Sequence, residues 1–302
     1  MTASVKEALL ETTREMPEAS RVRALLRLNF SQDPASGNTI LQESYQEAPL
    51  KVVRAFPLAD GTALVHLHNV SGGLLGGDQL TLQIQLAREA SVQVTTTSAT
   101  RVYRHREDFS FTTQWQEFSV GEGALLEYLP DATIPFAGAR YLQRTSIHLA
   151  AGAGLFWWEI LAPGREARGE VFAYDQVEVR TRISAPHRLI AAENLCLRPA
   201  EQEVSSLARL GVYRYVATFY ICRVGLEPMA WRAAEDQLRE LTGKQTRPGE
   251  ILWGVSMLAA HGLVVRCLAR NAREVLPGLQ TLWRHAKRHL YDQDAIPPRK
   301  VN

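Results

Sequence analysis

The segment Leu80-Thr-Leu-Gln-Ile-Gln-Leu-Ala-Arg-Glu-Ala-Ser-Val92 joins a strictly alternating apolar and polar run to a turn of small residues that begins at Ala87. The alternation predicts a strand with one buried face. Similar turns follow at Val120-Gly-Glu-Gly-Ala-Leu125, Ala150-Ala-Gly-Ala-Gly-Leu155 and Ser184-Ala-Pro-His-Arg-Leu189, at intervals of 33, 30 and 34 residues. A strand–turn–strand unit of this size cannot bury its own apolar face, so the recurrence predicts units that stack. The alternative is a meandering β-sandwich whose hairpins are similar in length.

The pattern changes after about residue 200. Apolar residues recur at helical spacing in residues 228–241, with a proline at the start and a glycine just past the end, and again in residues 279–290. Between these two helices, residues 251–258 and 263–268 are predicted to form a hairpin. The order strand, helix, strand, strand, helix indicates an α+β arrangement in this part of the chain.

These patterns together predict a mainly β fold. A β-helical or stacked β-sheet body is followed by a C-terminal α+β part with two helices, which covers one end of the body. Residues 1–20 are predicted to be an N-terminal extension, disordered or a frayed helix. Residues 21–302 are predicted to be a single domain, with the body at about 21–200 and the α+β part at about 205–292, because no linker rich in Pro, Gly or Ser divides them.

The composition is that of an ordinary globular chain, with 302 residues, 46% hydrophobic content and a formal net charge of +2. This near-neutral charge gives no electrostatic case for nucleic acid as the main partner. The longest apolar stretch without Asp, Glu, Lys or Arg, 251–265, is too short to span a bilayer, and the first twenty residues do not resemble a secretory signal. The cysteines 196, 222 and 267 form no CxxC pair, which favours reduced thiols. We therefore expect a cytoplasmic protein that binds neither a membrane nor nucleic acid.

A glycine-rich stretch, Ser71-Gly-Gly-Leu-Leu-Gly-Gly-Asp78, is the most unusual local feature of the sequence. Its glycines are Gly72, Gly73, Gly76 and Gly77. One interpretation is a phosphate cradle, but the chain has no GxxxxGK[ST] motif, and alternating residues rather than a helix follow the loop. A tight β-turn is the favoured interpretation, with a carboxylate held at its end by Asp78.

Acidic residues interrupt otherwise apolar strands at Glu127, Glu159 and Glu193. A carboxylate on a buried face costs several kcal/mol unless it is paired, solvated or bound to a cation. Glu159 lies four positions after Leu155, and Glu193 lies four positions after Leu189, so the repeat predicts that both point to the same side of neighbouring units and line one wet, acidic cavity. The alternative is that each carboxylate pairs with an arginine, such as Arg140, Arg180 or Arg182.

No catalytic constellation stands out, and we predict that the chain is not an enzyme. GxSxG and HExxH motifs are absent from the sequence, as is a Cys/His nucleophile signature. The pairs His66 and His68, and His285 and His289, have metal-like spacings but no third ligand nearby in sequence, so surface histidines are expected.

Several motifs in this order resemble those of the UreD family, called UreH in some bacteria, the urease accessory proteins that take part in assembling the nickel centre of urease. They are Ala48-Pro-Leu-Lys-Val-Val-Arg54, Ser71-Gly-Gly-Leu-Leu-Gly-Gly-Asp78, Thr95-Thr-Thr-Ser-Ala-Thr-Arg-Val-Tyr-Arg104, Leu126-Glu-Tyr-Leu-Pro130, Pro135-Phe-Ala-Gly-Ala139, Trp158-Glu-Ile-Leu-Ala-Pro-Gly-Arg165, Gly262-Leu-Val-Val-Arg266 and Pro298-Arg299. The chain departs from the family where Asn69-Val70-Ser71 follows His68 in place of a His-Pro-Pro stretch, and where Lys300-Val301-Asn302 lacks the closing tryptophan.

The resemblance implies a largely β fold and a scaffold that joins UreF and the GTPase UreG on apo-urease, with a homodimer within that accessory complex as a further expectation. It also implies an internal tunnel through which nickel passes without a tightly bound cofactor. Asp78, Glu159 and Glu193 match acidic residues associated with that tunnel, and Glu127 and Thr100 are further candidates. Tyr103 and Arg104, like the loop glycines, belong to the family motifs. Oxygen ligands suit weak, exchangeable binding of nickel, whereas a His/Cys cage would retain it.

Two other functions stay open from the residues alone. The first is a carbohydrate-active β-solenoid enzyme that uses its carboxylates as acid and base. The second is a protein-binding module that docks through an exposed helix at residues 279–290 and has no role for a metal.

Overall fold

The computed structural model describes residues 22–105 and 111–298, so the predicted extension at residues 1–20 lies outside the described residues. The strands in the described part are β1 (Arg23–Gln32), β2 (Thr39–Gln46), β3 (Leu50–Lys51), β4 (Phe56–Pro57), β5 (Ala63–Asn69), β6 (Gln79–Leu86), β7 (Ser91–Thr96), β8 (Thr100–Val102), β9 (Thr112–Val120), β10 (Leu125–Tyr128), β11 (Thr133–Pro135), β12 (Arg140–Leu149), β13 (Gly154–Leu161), β14 (Gln176–Ala185), β15 (Arg188–Leu197), β16 (Tyr215–Arg223), β17 (Ile251–Met257) and β18 (Gly262–Ala269). The α-helices are α1 (Pro228–Gln245) and α2 (Val275–Tyr291), and short 3₁₀ turns occupy Glu166–Arg168 and Ala272–Glu274. Neither described α-helix has the length and apolar character needed to cross a membrane.

The described strands form two sheets that face each other. Sheet A has the order β15-β14-β12-β9-β6-β1-β2, and sheet B has the order β17-β18-β16-β13-β10-β7-β5-β3 with the short strands β4, β8 and β11 attached to it. From β5 to β14 the long strands enter sheet B and sheet A alternately, and neighbours within each sheet are parallel. A parallel pair needs a crossover, and here the strand in the opposite sheet supplies it. The mainly β fold is confirmed, while the β-helical description of the body stays an expectation.

The small-residue turns lie directly over one another at one edge of the body. The Gly121 N–H donates to the Leu86 carbonyl at 3.0 Å, and the Ala150 N–H donates to the Val120 carbonyl at 2.9 Å. A Cβ added at Gly121 would lie 2.7 Å from the Leu86 oxygen, so only glycine allows this approach. The contacts between successive turns explain why small residues recur in them.

The fourth predicted turn, 184–189, does not connect the two sheets, and its assignment to the same repeat is wrong. It joins β14 to β15, which are antiparallel neighbours in sheet A. Ala185 pairs with Arg188, so only Pro186 and His187 turn the chain, with His187 at a φ of 60°. A turn of two residues returns the strand beside its partner and is too short to carry it to the other sheet.

The C-terminal part has the predicted order of elements but not the predicted position. Strands β16, β18 and β17 extend sheet B by antiparallel pairing beyond β13, and the hairpin turns at His261, whose φ is 53°. Helices α1 and α2 pack on the outer face of sheet B rather than over one end of the body. The strands continue the sheet because β16 pairs along the whole of β13, from Gly154 to Leu161.

Sheet B is therefore buried on both faces. On β13, Leu155 and Trp157 face sheet A, whereas Phe156 and Trp158 face the helices, and all four are at most 1% exposed. Strands covered on both sides have nearly continuous apolar sequences. Residues 155–161 are such a run, interrupted by Glu159. Burying each of these large side chains contributes roughly 1.5–3 kcal/mol to the fold.

Candidate functional site

A cavity of about 150 Å³ lies between the two sheets. Its lining spans sheet A from β1 to β15, and the polar members on that sheet are Gln114, Gln116, Gln143, Thr181 and Glu193. Sheet B contributes Tyr128, Glu159, Thr218 and Tyr220 to the opposite wall. The six strands crossed by the lining correspond to a length of about 24 Å at the usual spacing between strands. The cavity is thus elongated across the strands and large enough for several water molecules.

The strand register produces the polar wall on sheet A. Gln116 of β9 pairs with Thr145 of β12, Thr145 pairs with Thr181 of β14, and Thr181 pairs with Glu193 of β15. On the other side of Gln116, the same row continues with Leu82 and Leu26, which are 2% and 0% exposed. This row thus changes from apolar to polar as it crosses the sheet.

Glu159 projects from β13 into this cavity. Its carboxylate accepts hydrogen bonds from the Gln143 amide and, at 3.2 Å, from the Thr181 hydroxyl. Burial raises the pKa of Glu159 to about 7, against the lowering effect of these two donors, and the nearby Glu193 adds to the increase. Near neutral pH the side chain can therefore bind either a proton or a cation.

Glu193 lies on the opposite sheet at the border of the cavity, with 30% of its side chain exposed. Its Oε2 accepts hydrogen bonds from the Tyr220 hydroxyl at 2.6 Å and from Arg266 at 3.0 Å. The structure therefore brings Glu159 and Glu193 to one cavity. The predicted reason is wrong, because the two residues belong to opposite sheets and not to neighbouring units of one repeat.

Neutral hydrogen-bonding side chains hold Gln143 in place beside Glu159. The Tyr141 hydroxyl lies 2.9 Å from the side-chain Oε1 of Gln143 and 2.7 Å from Oε1 of Gln114. The Gln143 side-chain amide also donates to the Thr145 hydroxyl at 3.3 Å. Burial raises the pKa of Tyr141 well above its usual value, so it remains a neutral donor. The orientation of the donor to Glu159 is thus built into sheet A.

The glycine loop lies at the far end of the cavity from Glu193. Gly72, Gly73 and Thr100 border the cavity there. A Cβ added at Gly73 would lie 2.6 Å from the Tyr103 ring and 2.7 Å from the Arg101 carbonyl, so the loop can contact the Thr-Arg-Val-Tyr segment only with glycine. Two of the motifs that carry the resemblance are therefore in direct contact.

The side chains of Asn69 and Ser71 close this loop by hydrogen bonds to nearby atoms. The side-chain Oδ1 of Asn69 accepts from the Ser71 N–H at 3.0 Å, while the Asn69 side-chain amide and the Ser71 hydroxyl both donate to the Gly73 backbone carbonyl, at 3.1 and 2.8 Å. Side chains that bond to nearby backbone in this way stabilise turns. The loop is thus fixed by side-chain hydrogen bonds.

Asp78 is buried at 3% exposure but does not line the cavity. One of its carboxylate oxygens accepts from the Leu75 N–H at 2.8 Å, which ties the end of the glycine loop to its middle. Gly77, just before it, has a φ of 92°, and Gly76 is buried. These positions favour a structural role for Asp78 in the loop.

Tyr103 and Arg104 directly follow β8 in the chain. The Tyr103 ring packs edge-on against the Phe136 ring, with centroids 4.8 Å apart. The Arg165 guanidinium lies 4.1 Å from the centroid of the Phe136 ring. Arg104 is exposed. Neither residue lines the cavity.

Glu127 also lies away from the cavity, on the outer face of sheet B. Its side chain is 0% exposed, and its Oε1 lies 2.7 Å from the Lys287 ammonium of α2, which is itself 1% exposed. The other oxygen accepts from the Gln93 amide at 2.8 Å. The alternative prediction of paired carboxylates thus describes Glu193, which pairs with Arg266, and also Glu127, whose partner is a lysine rather than an arginine.

No metal-binding cluster of three or more His, Cys, Asp or Glu side chains occurs within residues 22–105 and 111–298. His68 borders the cavity, and His66 packs edge-on against Phe56. The prediction of an exposed docking helix at 279–290 is wrong, because its apolar residues pack on sheet B at exposures of 0–7%.

Sequence reasoning missed Gln143, Tyr220, Arg266 and Lys287. Lys287 follows Trp283 by four residues, so it falls on the apolar stripe of its helix, and that position could have identified it. Tyr220 and Arg266 lie in sheet B, and only the packing of sheet A against sheet B brings Glu193 to them.

Comparison with known proteins places these features in a family. Residues 22–302 match the family described as UreD urease accessory protein. A protein of Herpetosiphon aurantiacus named urease accessory protein UreD is 47% identical over 93% of this chain and 97% of its own length. Proteins with the same name from Marinomonas sp. and Lysinibacillus sphaericus are each 30% identical, over 95% and 85% of this chain and 92% and 94% of their own lengths.

Proposed function

Because this chain belongs to the UreD family of urease accessory proteins, and so has a role in urease maturation, we propose that it helps to deliver nickel to apo-urease through the cavity between its sheets. Nickel is cargo in this proposal and is bound only in transit. Because the family is one of accessory proteins, the carbohydrate-active enzyme is no longer a candidate.

The observation that carries the proposal is the convergence of Glu159 and Glu193 on one elongated cavity. The two carboxylates come from opposite sheets, and Thr181 lies between them, paired with Glu193 in register and bonded to Glu159. Two carboxylates with hydroxyl and amide oxygens nearby provide the kind of ligands that a divalent cation accepts without its first water shell being replaced entirely. Such binding permits release as well as capture.

The site prediction is accordingly narrowed. We assign the binding of nickel in transit to Glu159 and Glu193, with Thr100 as a further candidate at the far end of the cavity. We assign Asp78 to support of the glycine loop and Glu127 to attachment of α2, because each of them already accepts a hydrogen bond or ion pair away from the cavity.

The partners in this proposal are UreF, the GTPase UreG and apo-urease, assembled in the cytoplasm, with a homodimer of this chain within the complex. The absence of a GxxxxGK[ST] motif from the sequence agrees with nucleotide hydrolysis by a partner. Co-purification of UreF with this chain from cells that express both is the measurement that checks the scaffold role.

The nickel role is tested by co-expression with urease and the other accessory proteins. Glu159→Gln and Glu193→Gln should each lower the nickel content and activity of the purified urease, because an amide keeps the shape of the side chain but does not bind a cation as a carboxylate does. Glu178→Gln is the matched control, since Glu178 is 8% exposed in sheet A, pairs with Arg180 and does not line the cavity.

Full nickel loading of urease by the Glu159→Gln/Glu193→Gln double variant would contradict the delivery role. If that variant still co-purifies with UreF, the result would favour the remaining alternative, a protein-binding module without a metal role.

A further inference from the structure

The open side of the cavity carries a charged contact that nickel delivery alone does not explain. Sheet A ends at β15, whereas sheet B continues beyond β13 through β16, β18 and β17. Glu193 lies at this border and reaches across to sheet B. There its Oε2 accepts from the Tyr220 hydroxyl at 2.6 Å and from the Arg266 guanidinium at 3.0 Å.

Arg266 belongs to the same cross-strand row as Glu159. Glu159 pairs with Thr218 of β16, and Thr218 pairs with Arg266 of β18. The strands of Glu159 and Arg266 are thus about 10 Å apart at the usual spacing. The row ends at Gly254, where an added Cβ would meet no atom within 4 Å, so the space beyond Arg266 is open.

The guanidinium bonds to Oε2 of Glu193 and so places a positive charge beside the carboxylate that an incoming cation would bind. Arginine remains charged at every physiological pH, so this position always holds a positive charge while the contact is made. The Arg266 and Glu193 side chains are 56% and 30% exposed, and partly solvated pairs of this kind are weak. A divalent cation, with twice the charge, can therefore replace the guanidinium.

Resting on the proposed function, we propose that Arg266 is a positioning residue that holds Glu193 across the open side of the cavity and is displaced when a divalent cation binds the carboxylate. In this arrangement Tyr220 keeps its hydrogen bond to Glu193, so the carboxylate stays oriented during the exchange. The released guanidinium moves toward the open space beside Gly254.

The test is a calorimetric titration of the purified chain with nickel chloride in a non-coordinating buffer. Arg266→Gln removes the competing charge and should bind Ni²⁺ about threefold to tenfold more tightly than the unmodified chain. Glu193→Gln should weaken binding. Arg270→Gln, which removes one charge from an exposed residue just after the same strand, is the control for a general electrostatic effect and should change little.

Arg266→Lys keeps the charge and is expected to lie between the unmodified chain and Arg266→Gln, so it serves as the second variant if Arg266→Gln does not fold. An affinity equal to or below that of the unmodified chain in a folded variant would overturn the role of Arg266. That result leaves nickel delivery standing if Glu159→Gln and Glu193→Gln still impair urease loading. Tighter binding by Arg266→Gln together with full urease loading by the carboxylate variants would contradict nickel delivery and leave the role of Arg266 standing.

Discussion

At the scale of single residues, Glu159 combines partial burial with two hydrogen-bond donors in a cavity. Gln143 and Thr181 both donate to its carboxylate, yet burial is the larger effect and raises its pKa to about 7. A buried, ionised carboxylate is costly, and either a proton or a cation removes that cost. Nickel binding at Glu159 is therefore expected to release a proton near neutral pH.

The raised pKa of Glu159 predicts how stability depends on pH. Between pH 4.5, the ordinary pKa, and about 7, the folded chain holds a proton that the unfolded chain has released, so stability falls as pH rises through this window. The loss reaches at most about 3 kcal/mol. Glu159→Gln cannot titrate, so its free energy of unfolding relative to the unmodified chain should increase across the window by up to that amount. Urea unfolding of both proteins at pH 5, 6, 7 and 8 measures this difference. If the two free energies of unfolding change with pH in parallel, the pKa of Glu159 is not raised in the folded chain.

Glu127 shows which part of the site could not be predicted from the sequence. Both Glu127 and Glu159 interrupt apolar runs, and the sequence identified both as unusual carboxylates. Because sheet B is covered on each face, its strands lack the alternation that would tell inward from outward positions. Glu159 faces the cavity and Glu127 faces α2, a difference that follows from packing and not from local composition.

At the scale of elements, α2 is attached to sheet B by an apolar stripe and one buried ion pair. Leu279, Leu282 and Trp283 are at most 1% exposed. Lys287 continues this stripe and contacts Glu127 at 2.7 Å and Asp60 at 3.7 Å. A buried pair adds little net stability but makes the position of the helix specific, because each charge requires the other.

Removing one partner of this pair should therefore be costly. Lys287→Met leaves Glu127 as an unpaired buried charge and should lower the free energy of unfolding by about 3–5 kcal/mol. The double variant Lys287→Met/Glu127→Gln should recover much of that loss. Arg288→Met, at an exposed neighbour on the same helix, should change stability by less than about 0.5 kcal/mol. Urea unfolding compares the variants, and a double variant no more stable than Lys287→Met would contradict this account.

The turns show how far local sequence predicts elements and where it fails. Three of the four repeated turns stack as predicted, because small residues are needed where backbones meet. Turn 184–189 has a similar composition but forms a hairpin within sheet A. Small residues indicate that the chain turns, whereas the sheet that it enters next depends on partners that lie far away in sequence.

At the scale of the whole molecule, the cavity follows from incomplete filling between the sheets. Leu80 and Leu82 of β6 present apolar side chains to the interior, whereas Gln114 and Gln116 of the neighbouring strand β9 occupy the same rows with polar ones. Polar side chains need partners or water and do not pack as closely as leucine. The repeat predicted units that stack, but not the register that aligns these polar side chains.

The claim that nickel passes through this cavity is tested most directly by blocking it without changing a carboxylate. Val179 lines the cavity on β14, next to Gln143 and Leu195 in register. Val179→Phe adds a ring to the lining, whereas Val179→Ala widens the same position and serves as the matched control. The measurement is the nickel content of urease purified from cells that express either variant with the other accessory proteins.

We expect urease matured with Val179→Phe to lack most of its nickel, and urease matured with Val179→Ala to be loaded as with the unmodified chain. Full nickel loading by a Val179→Phe variant that folds and still binds UreF would contradict passage through the cavity.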